Sequence, residues 1–272
     1  MGAGKGANVQ NMKPRAFFLL AIGATWLAWL WPVAFGWTIW ESPAVWFLYA
    51  GGACVPVAAL LLAWKEGQLP SLLERLFDPR LIPARWWLVT LLLMPMTNLI
   101  SGTLVAMLGG ENNALLASSP VQMSFAQLLG FAAFILLLGP LPEEIGWRGY
   151  ALPALLNRHT ALSATLVLGA MWGLWHVPLF FMPGYYEAFG GAPDPALFFG
   201  NILIISFFYT WLFLHTKGSI LAAVLFHFSV NFSGELIALP DQGEWIKTTI
   251  LACAVIAIVA YRPDAWTSKP AG

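Results

Sequence analysis

Charged side chains are scarce in this chain, because only 10% of its 272 residues are Asp, Glu, Lys or Arg. A soluble domain carries a charge on about a quarter of its residues, so this composition argues against a soluble protein. The 13 basic and 13 acidic residues also balance to a net charge of zero. No basic excess is therefore available to attract a nucleic acid, and no nucleic-acid partner is expected.

Cysteine is nearly absent as well, since Cys54 and Cys253 are the only two. Both fall inside long apolar runs, which excludes a disulfide framework and a zinc site built on cysteines. A cleaved signal peptide is not indicated either. The apolar stretch after Lys13 and Arg15 is about 22 residues long, whereas the apolar region of a signal peptide has about 7–15.

Long apolar runs are what the sequence has in abundance, with 59% hydrophobic residues. About 20 helical residues cross the hydrocarbon core of a bilayer. The chain is therefore predicted to be all-α, a polytopic membrane helical bundle in a single transmembrane domain over residues 1–272. About eight transmembrane helices are predicted, of which the fourth is interrupted and the last is short. They lie near 16–37, 43–64, 86–108, 125–142, 161–182, 197–214, 218–238 and 248–261.

The few charges are distributed unevenly between the segments that join these spans. If the N-terminus is cytoplasmic, every Lys and Arg except Lys247 falls on the cytoplasmic side. The loops 109–124 and 183–196 would then lie outside and carry acidic residues. This positive-inside pattern predicts that both termini are cytoplasmic, in a multi-pass protein of the cell inner or plasma membrane.

One cytoplasmic connector, residues 65–85, shows helical amphipathicity rather than a transmembrane pattern. Its apolar residues recur at helical spacing among charged ones, at Leu69, Leu72, Leu73, Leu76 and Phe77. This pattern predicts a short helix on the membrane surface. It is interpreted as an interfacial connector, with a substrate-gating element as the alternative.

Ionisable or strongly polar side chains within the spans are concentrated in the second half of the chain. Each ionisable one costs about 2.5–3.5 kcal/mol at mid-membrane on insertion scales, so it needs a partner or a function. A single histidine or asparagine can be explained as a hydrogen-bonding residue between helices. Six such residues together indicate a functional site: Glu143, Glu144, Arg148, His176, His227 and Asn231.

The first group of these residues follows two closely spaced prolines, Pro140 and Pro142. They predict a break in the fourth span and a new helix starting at Pro142, with both glutamates in its first turn. A helix N-terminus favours carboxylates there. Because Arg148 is four residues after Glu144, the two are predicted to form an ion pair. Glu143 is then free to act as a general base.

The other polar groups fit two kinds of chemistry. His227 and Asn231 are four residues apart and share a helix face, and His176 comes from another span. Glu143, His176 and His227 could bind a metal ion such as Zn2+. Together with Asn231 they could equally activate water and stabilise an oxyanion. The HExxH pattern of soluble zinc peptidases is absent.

Three short motifs of this sequence resemble those of the CPBP intramembrane proteases. They are Glu143-Glu144-xxx-Arg148, Trp172-xxx-His176 and His227-xxx-Asn231, within a motif-bearing core of about 125–238. That family includes the Rce1-type CAAX prenyl endopeptidases and the bacterial Abi proteins. Trp172 stands where the family usually has phenylalanine, and it is expected to serve only as a wall of the site.

The resemblance implies an eight-helix bundle with a cavity open to the cytoplasm and the bilayer. Glu143 and His176 would activate water, and His227 and Asn231 would stabilise the oxyanion. Glu144 and Arg148 would orient the site. The family is described both as metal-dependent and as glutamate-driven without a catalytic metal, so the sequence leaves the metal open.

The substrate implied for such an endopeptidase is membrane-associated. It is a lipidated C-terminal segment if the chain resembles the prenyl endopeptidases, or a small membrane peptide in the bacterial branch. A transporter or channel that uses the cluster as a relay is the non-enzymatic alternative. Transporters more often show broken helices in both halves, whereas the only interruption predicted here is at Gly139–Pro142. An immunity protein that keeps the motif without turnover is a third possibility.

Overall fold

The computed structural model describes residues 11–110 and 122–268, and helix is the only regular secondary structure in those ranges. This result confirms the all-α prediction. The α-helices are α1 (Pro14–Phe35), α2 (Ala44–Lys65), α3 (Leu69–Phe77), α4 (Ala84–Met107), α5 (Phe125–Leu138), α6 (Pro140–Gly146), α7 (Leu152–Leu156), α8 (Ala161–His176), α9 (Pro195–His215), α10 (Ile220–Leu236), α11 (Asp241–Tyr261) and α12 (Pro263–Thr267).

Seven helical segments of the described chain are long and apolar enough to cross a membrane, and α10 is a shorter apolar helix of 17 residues. Together they account for the predicted helices and confirm a polytopic bundle. Two predicted limits are wrong. The fourth segment continues to Leu156 instead of ending at 142, and the last begins at Asp241 instead of 248. The first turn of α11 contains Asp241 and Glu244, whose charges led to the prediction that these residues belong to a loop.

The interruption of the fourth segment lies two residues earlier than predicted. The renewed helix starts at Pro140, with Gly139 as its N-cap, because proline at the first helical position leaves no N–H group unpaired. Glu143 is in the first turn, but Glu144 lies beyond it, so that part of the prediction is wrong. The chain then continues through a π-helical turn, Trp147–Ala151, a rare geometry that is frequent at functional sites.

The connecting segments collect at two opposite ends of the bundle. At the end predicted to be cytoplasmic, the guanidinium of Arg158 donates to the backbone carbonyl of Met12 at 3.0 Å. At the other end, the N–H of Ile39 donates to the carbonyl of Pro183 at 2.9 Å. Segments that the sequence analysis assigned to the same side of the membrane therefore meet in space.

The orientation in the membrane remains a prediction that tagging can test. A tag at residue 1 or residue 272, both outside the described residues, should be reachable only from the cytoplasmic side. A tag near Gly190 should be reachable only from outside, because positive residues are retained on the cytoplasmic face. Termini reachable from opposite faces would mean that one apolar helix does not cross the membrane.

The amphipathic connector forms α3, as the sequence predicted. Leu72 and Leu76 are buried against the bundle, whereas Leu73 and Phe77 are 40% and 70% exposed. One helix face therefore packs on the protein while an apolar edge remains at the surface. This arrangement suits a helix in the membrane interface.

Candidate active site

A fully buried ion pair forms the base of the candidate site. The side chains of Glu144 and Arg148 are both 0% exposed, and Arg148 Nη1 lies 2.8 Å from Glu144 Oε1. The predicted pair is thus present. His227 Nδ1 also lies 2.8 Å from the same oxygen, a contact between residues 83 positions apart that the helix spacing could not indicate.

Aromatic rings surround the guanidinium of Arg148. Its Cζ atom lies 3.5 Å from the centroid of the Tyr209 ring and 4.5 Å from that of Trp172. Within the described residues, Arg148 Nε and Nη2 and Glu144 Oε2 have no hydrogen-bond partner. The negative ring faces provide part of the favourable electrostatics that a buried cation needs.

The second glutamate of the motif is held differently. Glu143 is partly exposed, and its Oε2 accepts a hydrogen bond of 2.8 Å from the indole Nε1–H of Trp172. Oε1 remains available to another group. Trp172 therefore does more than form a wall, and the prediction missed this hydrogen bond because phenylalanine, the usual residue in the family, has no donor.

His176 is the last residue of α8, and its orientation is set by its own helix. Its Nδ1 lies 2.8 Å from the carbonyl oxygen of Trp172, one turn earlier. A carbonyl oxygen only accepts, so Nδ1 carries the proton in this contact. The Nε2 atom is then left with a lone pair, which can accept a proton or bind a metal.

These side chains converge around the indole of Trp172. The centroid of its ring lies 5.7 Å from the ring of His176 and 5.6 Å from the ring of His227, while its N–H binds Glu143. The structure thus brings together Glu143, His176 and His227, which come from three separate segments. That these side chains and Asn231 line one catalytic cavity stays a prediction.

Asn231 occupies the edge of this group. It lies one helical turn beyond His227 and is exposed at the surface of the bundle. Its Nδ2 atom is 3.7 Å from the position that a Cβ would take at Gly139, the N-cap of α6. Asn231 therefore faces the start of the helix that carries both glutamates, on the side where α5 lies.

The site lies deep along the bundle axis. His176 is 15 residues beyond the start of α8, which corresponds to about 22 Å from the predicted cytoplasmic end of that helix. Towards the opposite end, the ring of His176 packs against Phe198 at 5.4 Å, and Phe198 packs on Phe180 at 5.1 Å. Packed aromatic rings thus cover this end, while the edge at Asn231 is exposed.

Zinc binding by Glu143, His176 and His227 stays a prediction. Across residues 11–110 and 122–268, no three His, Cys, Asp or Glu side chains are grouped as a metal ion requires. His227 is directed to Glu144, and one oxygen of Glu143 is engaged by Trp172. The Nε2 atoms of His176 and His227 and the carboxylate of Glu143 are by their chemistry suitable zinc donors.

The fold and the site define a class of protein, a polytopic membrane protein with polar chemistry enclosed in its helical bundle. Residues 125–233 match the family model for the type II CAAX prenyl endopeptidases, Rce1-like. The chain is also 32% identical to the CAAX prenyl protease 2 of Methanococcus maripaludis over 257 residues. The aligned region covers 91% of this chain and 93% of that protein.

At this identity and coverage, the chain belongs to the family of Rce1-like CAAX prenyl endopeptidases. It is therefore an integral membrane protease. The comparisons support the protease interpretation of the sequence and give no support to the transporter or channel alternative. The matched range lies within the core of about 125–238 that carries the three motifs.

A substitution at Trp172 separates its two contributions to the site. Trp172→Phe keeps an aromatic ring between the histidines but removes the donor to Glu143, so activity should fall by no more than about tenfold, the cost of one hydrogen bond. Trp172→Leu also removes the ring that packs on both histidines and should lose more. Initial cleavage rates and thermal unfolding of both variants test this. Equal inactivity of the two folded variants would show that the N–H group is indispensable.

Proposed function

We propose that the protein is an intramembrane endopeptidase that cleaves a prenylated peptide or protein near its C-terminus, by means of water activated by Glu143. The observation that carries this proposal is the convergence of Glu143, His176 and His227 around Trp172, above a buried ion pair. The related protein of Methanococcus maripaludis, whose name describes a CAAX prenyl protease, supports the substrate class.

In the proposed reaction, Glu143 Oε1 takes a proton from water, and His176 Nε2 accepts the second hydrogen of that water as a hydrogen bond. The resulting hydroxide attacks the carbonyl carbon of the scissile bond. Breakdown of the tetrahedral intermediate breaks the C–N bond, and the protonated Glu143 returns its proton to the leaving amine. A positioned base of this kind contributes about 10²–10⁴-fold to the rate.

The oxyanion is assigned to His227 and Asn231. His227 donates its Nδ1–H to Glu144, so it can also donate from Nε2 only as an imidazolium. The adjacent carboxylate of Glu144 orients the His227 ring, as a buried carboxylate does for the catalytic histidine of serine proteases. The amide of Asn231, one turn away on the same helix, supplies the second donor.

Glu144 and Arg148 act as positioning residues in this scheme. Arg148 fixes the carboxylate of Glu144, and the same oxygen fixes the ring of His227. Arg148 is itself packed between Tyr209 and Trp172, and Trp172 donates to Glu143. The contacts that orient His227 and Glu143 are therefore connected through Trp172. The two motif glutamates thus have different roles on one helix.

The exposed edge of the site favours a substrate that arrives within the membrane. Asn231 is exposed, and the neighbouring α5 has no buried residue over its 14 positions. A helix so loosely covered by protein faces the lipid. A lipid-anchored chain can therefore reach the site laterally, whereas a soluble peptide would first have to enter the bilayer.

Two peptides of identical sequence test the substrate assignment, one with a prenylated cysteine and one without. The purified protein in lipid vesicles should cleave the prenylated peptide at least about tenfold faster, because the prenyl chain concentrates the peptide in the bilayer and occupies the lipid-facing edge. A dodecyl-modified control peptide separates membrane partition from prenyl recognition. Equal cleavage of the unmodified peptide would contradict a lipidated substrate and favour small membrane peptides.

His227→Ala distinguishes oxyanion stabilisation from metal binding. If His227 donates to the oxyanion, the variant should lose about 2.7–4 kcal/mol in the chemical step, with little change in KM. Its zinc content should equal that of the wild type. Loss of stoichiometric zinc together with activity would assign His227 as a metal ligand, in line with the metal-dependent description of the family.

A further inference from the structure

A cavity of about 240 Å³ lies at the predicted cytoplasmic end, away from the candidate catalytic residues. It is enclosed by α3, the π-helical turn after α6 and the segment that precedes α10. Its polar lining includes Gln68, Ser71, Arg75, Tyr150 and Lys217, and its walls include Leu72 and Phe213. We call this cavity the α3 pocket.

The α3 pocket is positively charged. Arg75 and Lys217 line it, and no carboxylate is among the described residues of the lining; the carboxylate of Glu66 lies behind it and accepts a hydrogen bond from the Tyr150 hydroxyl at 2.9 Å. Burial lowers the pKa of Arg75 to about 10, because a buried guanidinium loses hydration, yet Arg75 remains a cation at neutral pH. Lys217 is exposed, so its ammonium group stands at the entrance.

Hydrogen-bonding capacity in the pocket exceeds what the protein uses. Arg75 donates from Nη2 to the carbonyl of Gly149 at 2.6 Å and from Nη1 to that of Gly218 at 3.5 Å. A guanidinium has five N–H donors, so about three remain. Gln68 is only 7% exposed and lines the cavity, so its amide can add a donor and an acceptor there.

We propose that the α3 pocket binds the phosphate headgroup of an anionic membrane lipid. The unused guanidinium donors of Arg75 and an amide that lines the cavity are groups that bind phosphate oxygens. The pocket opens beside α3, whose exposed Leu73 and Phe77 place it at the membrane interface. Basic pockets between transmembrane helices on the cytoplasmic side are suited to anionic headgroups, and the apolar walls accommodate the adjoining carbons.

Lipid binding at this position reaches the catalytic segment through the backbone. Arg75 holds the carbonyl of Gly149, which directly follows Arg148, and the carbonyl of Gly218, just before the helix of His227. A phosphate on Arg75 would therefore stabilise the folded arrangement of both segments. A ligand that binds only the folded state raises the melting temperature.

The test uses the full-length protein in nanodiscs of phosphatidylcholine with or without phosphatidylglycerol, with thermal unfolding and retained lipid as measurements. Phosphatidylglycerol should raise the melting temperature and remain bound to the wild type. Gln68→Leu and Lys217→Gln should each weaken this binding by about tenfold, the effect of one charge-assisted hydrogen bond. Lys65→Gln removes an equal charge at the same end outside the pocket and should bind as the wild type does.

Three outcomes would overturn the proposal. An equal loss in Lys65→Gln and Lys217→Gln would mean that the lipid is attracted only by surface charge. Equal stabilisation of all variants, or of the wild type by phosphatidylcholine alone, would mean that the α3 pocket is not the site. Stabilisation by inorganic phosphate equal to that by phosphatidylglycerol would assign the pocket to a soluble anion. Because Lys217 is exposed, its variant should fold even if Gln68→Leu does not.

Discussion

Replacing Glu143 by glutamine is expected to lower turnover by about 10²–10⁴-fold while the protein stays folded. Glutamine has the size of glutamate and keeps a carbonyl oxygen that can accept the Nε1–H bond of Trp172. It cannot take a proton from water. Because Glu143 is partly exposed and belongs to no ion pair in the described chain, removing its charge leaves no cation without a partner.

The control for this variant is Glu235→Gln, a partly buried glutamate on α10 that is outside the candidate site. It should cleave at the rate of the wild type. Initial rates with the prenylated peptide and thermal unfolding of both variants are the measurements. If Glu143→Gln keeps near-normal activity while Glu144→Gln is folded and inactive, the roles of the two glutamates are reversed.

Replacing either member of the Glu144–Arg148 pair is expected to destabilise the protein as well as inactivate it. Both side chains are 0% exposed, so Glu144→Gln leaves the guanidinium of Arg148 buried without its counter-ion. Removing one partner of a buried pair costs about 3–5 kcal/mol. His227 loses its carboxylate partner in the same variant, and its ring is no longer held.

The surface pair of Asp78 and Arg80 gives a matched comparison, because Arg80 is 87% exposed and its Nε lies 2.8 Å from Asp78 Oδ1. Arg80→Gln should leave the stability unchanged, since water screens an exposed pair. Denaturant unfolding and yield in membranes measure both effects. Glu144→Gln with the stability of the wild type would contradict a structural role for the buried pair.

The parts of the structure that follow from local chemistry could be predicted from the sequence. Apolar run lengths predicted the eight apolar helical segments of the bundle, and the four-residue spacing predicted the pair of Glu144 and Arg148. Helix amphipathicity gave α3. In each case the residues that matter are close in sequence, so helical geometry alone relates them.

The features that the sequence did not reveal depend on contacts between distant segments. The bond between His227 and Glu144 joins separate helices, and the bond from Trp172 to Glu143 depends on how α8 packs against α6. The π-helical turn after Gly146 has no sequence signal of its own. The convergence of the three motifs was expected from the family resemblance and not from their spacing.

The central claim is tested most directly by mass spectrometry of a prenylated peptide after incubation with the purified protein and with Glu143→Ala, with zinc content measured on both. The account predicts two fragments from the wild type and an intact peptide from the variant. Both preparations should have the same melting temperature, and neither should contain stoichiometric zinc. Equal cleavage by the two preparations would contradict the assignment of Glu143 as the base that activates water.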